Sequence, residues 1–216
     1  MAARGADSRE IEEQRRIISG LKSEIFGVDK TGSSGYIGDF LADFDRYRRV
    51  VPLERVFDRA AKAEFVFFGD YHPLDASQDL VLRLMRELAG RGRKIVVGLE
   101  MLYTRQQPSL DRWMKGTIDE RAFLEEIDYR SEWGFSWESY RRIFELARDP
   151  FIPIFGIDEE PRDHLRAIRR RDRLMARRLV NIGRFFPGAV VVAVVGESHV
   201  AAGHLPAEVA RLRRRL

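Results

Sequence analysis

Cysteine is missing from this chain of 216 residues, and it has only four histidines. Without thiols there can be no disulfide, cysteine nucleophile or Cys-based zinc or iron–sulfur site, so any bound metal must be held by nitrogen and oxygen. Long apolar runs are missing as well. None comes near the roughly 20 residues that a membrane span requires. The opening MAARGADSREIEEQRR is charged where a secretion signal would carry its apolar segment, so the expectation is a cytoplasmic protein with no membrane span. The Gly/Ser stretch KTGSSGY at 30–36 lacks the Lys-Ser/Thr ending and following helix of a phosphate-binding loop, and reads as a linker. Ser198 lies in GESHV without the glycine two positions later that a serine nucleophile elbow carries.

Arginine is abundant. The formal charge is +4 and the pI about 9.6, with basic residues gathered in HLRAIRRRDRLMARRL and in the terminal RLRRRL. In the first run Leu165, Ile168, Met175, Leu179 and Ile182 form an apolar stripe at helical spacing, which turns most of the arginines toward water. No nucleic-acid motif accompanies the charge, so no specific nucleic-acid partner is expected.

At 44% hydrophobic residues the chain can bury one sizeable core. Residues 1–58 read as an N-terminal helix and lead-in, and 59–216 as the main domain. Four apolar runs have the character of buried strands: EFVFFG at 64–69, KIVVGLE at 94–100, IPIFGID at 152–158 and AVVVAVVG at 189–196. Between the first two, Leu80, Val81, Leu84, Met85 and Leu88 mark a crossover helix; the Arg-rich helix is expected from Pro161 to about Gly183. Strands alternating with helices predict an α/β fold with a largely parallel sheet flanked by helices. The interval between the second and third strands is longer than an ordinary crossover. It predicts an aromatic-rich helical insert at about 103–150, with Thr117 and Glu120 as a capping box, Ser136 as a cap, and its own small core around Trp113, Trp133 and Trp137.

Each predicted strand ends in glycine followed closely by an ionisable residue. The series is Gly69-Asp70-Tyr71-His72, Gly98-Leu99-Glu100, Gly156-Ile157-Asp158 and Gly196-Glu197-Ser198-His199. Ligands bind beyond the carboxyl ends of the strands in open parallel sheets, so these groups should converge, with the two Gly-acid-x-His motifs as two walls of one site. In extended backbone Asp70 and His72 would share a face, as would Glu197 and His199. Two histidines with carboxylates suit manganese, zinc or iron, which makes His72, Glu100, His199, Asp70 and Glu197 the candidate metal ligands, supported by Gly69 and Gly196. Buried after an apolar strand, Glu100 must find a metal, an arginine or a ligand as partner. Asp158 either serves the site or caps the Arg-rich helix. His164 and His204 read as structural or solvent-facing, and Tyr71 and Tyr103 lie beside the motifs.

The blocks FFGDYH, VVGLEM with QQPSLDRWMKG, WGFSWESYRRIFELAR, IPIFGID, RRDRLMA and VVGESH occur in this order over about residues 60–205. Together they resemble the ChaN-like haem-binding uptake family, within the superfamily of Tiki, TraB and erythromycin esterase proteins. The resemblance implies a domain binding haem or a divalent metal ion, with a role in haem or iron handling. Tyr71 and Tyr103 would then be the candidate haem donors. The alternative it implies is a metal-dependent hydrolase of small-molecule or peptide substrates, with His72, Glu100 and His199 as catalytic residues. The chain differs from the ChaN branch in lacking a lipobox cysteine and a secretion signal, and in carrying Asp70 where Glu is expected. Haem or metal binding is thus implied more directly than uptake at a cell envelope. Strand order is left open, as is whether the protein forms a homodimer.

Overall fold

The computed structural model describes residues 51–148, 151–160, 162 and 168–214, together with 12, 16, 38–40, 42 and 43. Most of the expected N-terminal helix, the KTGSSGY stretch, Pro161 and His164 lie outside the described residues. Four strands form one sheet: β1 (Phe65–Asp70), β2 (Ile95–Tyr103), β3 (Ile154–Asp158) and β4 (Val190–Gly196). Every neighbouring pair is parallel, and the order is β1-β4-β2-β3. The last strand in sequence is therefore inserted between the first two.

That position accounts for the composition of β4. A central parallel strand is covered on both faces and has no use for polar side chains; all seven residues of VVVAVVG are buried. Alternate residues go to opposite layers. Val190, Val192 and Val194 join one cluster with helices α1 (Leu53–Ala60), α2 (Asp75–Gly90) and the insert. Val191, Ala193 and Val195 join a second with α7 (Ile168–Phe185) and α8 (Leu205–Arg213). The result is a parallel sheet sandwiched between two helical layers.

The predicted stripe of α2 holds at Val81, Leu84, Met85 and Leu88, and extends to Leu82 and the polar Gln78, while Leu80 is only partly buried. The insert comprises α3 (Gln107–Met114), α4 (Glu120–Glu126), α5 (Tyr129–Glu132) and α6 (Trp137–Arg148). Trp113 stacks on Phe123 with centroids 4.5 Å apart, and Trp137 and Phe144 close around the pair. Two expectations change here. The insert has no separate core, because its aromatics belong to the same buried cluster as Val97, Leu99 and Val192 of the sheet. The cap of α4 is Asp119, which accepts from the Ala122 N–H at 2.8 Å, while Thr117 donates back to the Arg112 carbonyl and so closes α3. Asp119 stands next to the first helical residue, where a shorter side chain reaches the free N–H groups directly.

Candidate functional site at the carboxyl edge

The sheet register sets Asp70 opposite Gly196. The two Gly-acid-x-His motifs consequently lie side by side on adjacent strands. Asp70 points into the α2–α6 layer, following Val66 and Phe68 by strand parity, and three groups meet it there. The Gln78 amide donates to Oδ1 at 2.5 Å, the Tyr140 hydroxyl donates to Oδ2, and His72 Nδ1 lies 2.9 Å from Oδ2. Because an ionised carboxylate only accepts, Nδ1 is the donor in this contact, and Nε2 is the ring nitrogen not committed to Asp70. Burial, reinforced by the charge of Asp70, raises the Tyr140 pKa and keeps it a hydroxyl donor. The imidazole packs edge-on to Trp133 at 4.4 Å and against Phe135 at 4.9 Å. The side chain of His72 keeps 19% exposure.

Glu100 faces the other layer, with Val96 and toward α7. Its partner is arginine: Arg171 Nη2 lies 2.5 Å from Oε1, while Oε2 accepts the Gly196 N–H at 2.5 Å. Arg171 also grips Asp158 with Nε to Oδ1 at 2.9 Å and Nη2 to Oδ2 at 2.7 Å. Arg162 bonds Asp158 Oδ2 at 2.7 Å and reaches the carbonyls of Glu100 and Glu132. His199 lies between two acids, with Nδ1 2.6 Å from Asp172 and Nε2 3.3 Å from Glu100 Oε1. Burial alone would raise the Glu100 pKa. The charge and hydrogen bond of His199, with Arg171, outweigh it and hold the carboxyl well below its ordinary range. Burial disfavours the His199 imidazolium, yet Glu100 and Asp172 lift its pKa to about 9. Such charges persist in an interior only as a fully paired set.

Gly196 is where the halves meet. A Cβ there would stand 3.3 Å from His72 Nε2 and 3.5 Å from Glu100 Oε2, so any larger residue would press on the imidazole from this side.

His72, Glu100, His199, Asp70 and Gly196 therefore assemble at one edge as expected, and Asp158 joins through Arg171. The expected face-sharing of Glu197 and His199 does not occur. β4 stops at Gly196, and residues Glu197–Val200 form a 3-10 turn to which strand alternation does not apply. Gly69 admits this turn against β1, since a Cβ would meet Glu197 Cα at 3.2 Å. Burial raises the Glu197 pKa. Among the described residues no group of three or more His, Asp or Glu side chains is arranged to hold a metal ion. The predicted metal set His72, Glu100, His199, Asp70 and Glu197 is divided, because Asp70 turns to Tyr140 and Glu100 to Arg171. Tyr103 is buried under the guanidinium of Arg162 at 3.9 Å, with Arg105 at 5.0 Å. Burial, aided by Glu132 against the opposing charge of Arg162, pushes its phenol up to about 12. Tyr71 is half-buried, and its N–H donates to Ser77 Oγ at 3.0 Å. His204 is structural, its Nδ1 2.7 Å from the Ser198 carbonyl.

Sequence reasoning missed Arg171, Asp172, Arg162, Gln78 and Tyr140. A signal existed for the first two. The expected stripe on α7 has a gap between Ile168 and Met175, and a continuous helical face requires something buried at 171 or 172.

The parallel sheet with its last strand at the centre, and the histidine-bearing polar edge it creates, define an α/β protein with a candidate site where the strands end. Residues 56–171 match the family described as haem-binding uptake, Tiki superfamily, ChaN, and the chain belongs to that family. Among solved structures it is similar to ChaN of Campylobacter jejuni, described by its cofacial haem binding, with TM-score 0.56 and 14% identity over 77% of this chain and 83% of that one. It is also similar to a bacterial toxin structure, with TM-score 0.52 and 18% identity over 89% of this chain. The chain spans 40% of that toxin's length. At such identities the likeness is one of fold. No curated protein matches the sequence significantly.

Proposed function

We propose that this protein binds haem at the carboxyl edge of the sheet and serves in haem or iron handling, with the axial donor supplied by the segment Tyr71-His72. Family membership and the likeness to ChaN support the class of ligand. The observation that carries the assignment is the placement of His72. Its Nδ1 is committed to Asp70, its ring is held by Trp133 and Phe135 with the side chain 19% exposed, and its Nε2 is left on the side of Gly196. A donor nitrogen beside flat apolar walls fits what haem requires. Haem, when bound, supplies an iron centre whose ligation and potential are tuned by the axial donor and its hydrogen bonds. Asp70 orients that donor through Nδ1. Tyr71 is the second donor candidate; Tyr103 is the weaker one, since its ring is buried beneath the guanidinium of Arg162.

The test is titration with haemin, followed at the Soret band. Saturable binding is expected, weakened at least about tenfold by His72→Ala and by Tyr71→Phe and little changed by Tyr103→Phe. Nonsaturable binding, or equal loss in all three variants, would overturn the assignment. A hydrolase reading draws on the run Asp172–His199–Glu100, in which a carboxylate orients an imidazole toward a second carboxylate. It would prevail if manganese or zinc supported ester or peptide cleavage that His72→Ala and His199→Ala abolish.

A further inference from the structure

In a parallel sheet every helix-to-strand connection lies at the amino edge, opposite the histidine site. That edge carries two adjoining cavities. One, of about 560 Å³, lies between Phe151 and Ile152 ahead of β3 and Phe185 and Phe186 ahead of β4, with Ile95 beneath. Phe151 and Phe185 are 77% and 79% exposed, the most exposed large hydrophobic side chains among the described residues. The second, of about 430 Å³, is bordered by Lys62, Arg93, Arg184 and Arg213. Arg93 borders both. Arg213 is engaged by Glu64 at 2.8 Å, whereas Lys62, Lys94 and Arg184 are exposed.

We infer that the amino edge docks on an anionic membrane surface, with Phe151 and Phe185 entering the interface and Lys62, Lys94 and Arg184 meeting lipid phosphates. Aromatic side chains next to basic residues are the pairing that binds reversibly to such surfaces, where apolar burial and charge attraction add. The charge decides between occupants. A second copy docking by the same patch would bring these like charges together, which disfavours a two-fold contact. Between Phe151, Phe185 and Phe186 the cavity is floored by the aliphatic Ile95, Val96 and Ile152 and two prolines, an apolar recess that an acyl chain fills. No described helix is long and apolar enough to cross a membrane, so attachment through this edge would be peripheral.

The full chain is to be sedimented with vesicles of phosphatidylcholine alone and of phosphatidylcholine mixed with phosphatidylglycerol. Binding to the anionic vesicles only is expected, and weakening in about 0.5 M salt. The double variants Phe151→Ser/Phe185→Ser and Lys94→Glu/Arg184→Glu should each lower it at least about tenfold while circular dichroism and melting temperature stay unchanged. Binding without anionic preference, or equal binding by wild type and both variants, would overturn the inference. So would self-association, or nucleic-acid binding, that the phenylalanine variant abolishes.

Discussion

Raising the pH should weaken the fold through His199. Its pKa lies near 9 in the folded protein against an ordinary 6.5, so the imidazolium contributes its full stabilisation below about 6.5 and loses it as pH rises through about 9. Thermal melts across that window should show wild type falling relative to His199→Gln. Parallel profiles would mean that Glu100 and Asp172 do not hold the proton. The same residues show how far the site was legible. Gly69, Asp70, His72, Glu100, Gly196 and His199 were readable because each follows an apolar run, where a polar group has few reasons to be. The counter-charges were not. Arg171 and Asp172 are embedded in a run of arginines that is otherwise turned to water, and only the gap in the stripe sets them apart. Tyr140 looked like one more aromatic, since nothing local to it indicates a carboxylate seventy residues away.

The close approach of β2 to β3 depends on Gly156. A Cβ there would meet the Tyr103 carbonyl oxygen at 2.6 Å and the Leu102 carbonyl oxygen at 3.0 Å, both backbone atoms that cannot rotate away. Gly156→Ala is expected to cost about 1–3 kcal/mol by urea denaturation; an unchanged midpoint would show that the strands can separate without penalty. At this scale the apolar runs located all four strands within a few residues. Order was illegible, because pairing in a parallel sheet is decided by which faces the crossover helices cover, and no single run records that. The cap of α4 was misread for a different reason. Thr117 and Asp119 both have capping side chains, and tertiary context assigned Thr117 to the end of the preceding helix.

The shared core of insert and sheet bears on how the whole molecule unfolds. All three tryptophans, Trp113, Trp133 and Trp137, sit in the insert, whose aromatics pack in one cluster with the sheet's Val97, Leu99 and Val192. Tryptophan fluorescence and far-ultraviolet circular dichroism should therefore change at the same denaturant concentration. An earlier fluorescence transition would mean that the insert melts alone. The strand order also has a consequence for synthesis. β1 and β2 leave the ribosome early but touch each other only through β4, the last strand made. Until then β1 has no neighbour and β2 has only β3, and Asp70 and Glu100 have no Gly196 between them. The nascent chain must carry β1 unpaired, and one edge of β2 open, until β4 is made, exposed to the contacts that such intermediates risk. The sheet and its polar edge are then completed in a single late event, when β4 enters the gap.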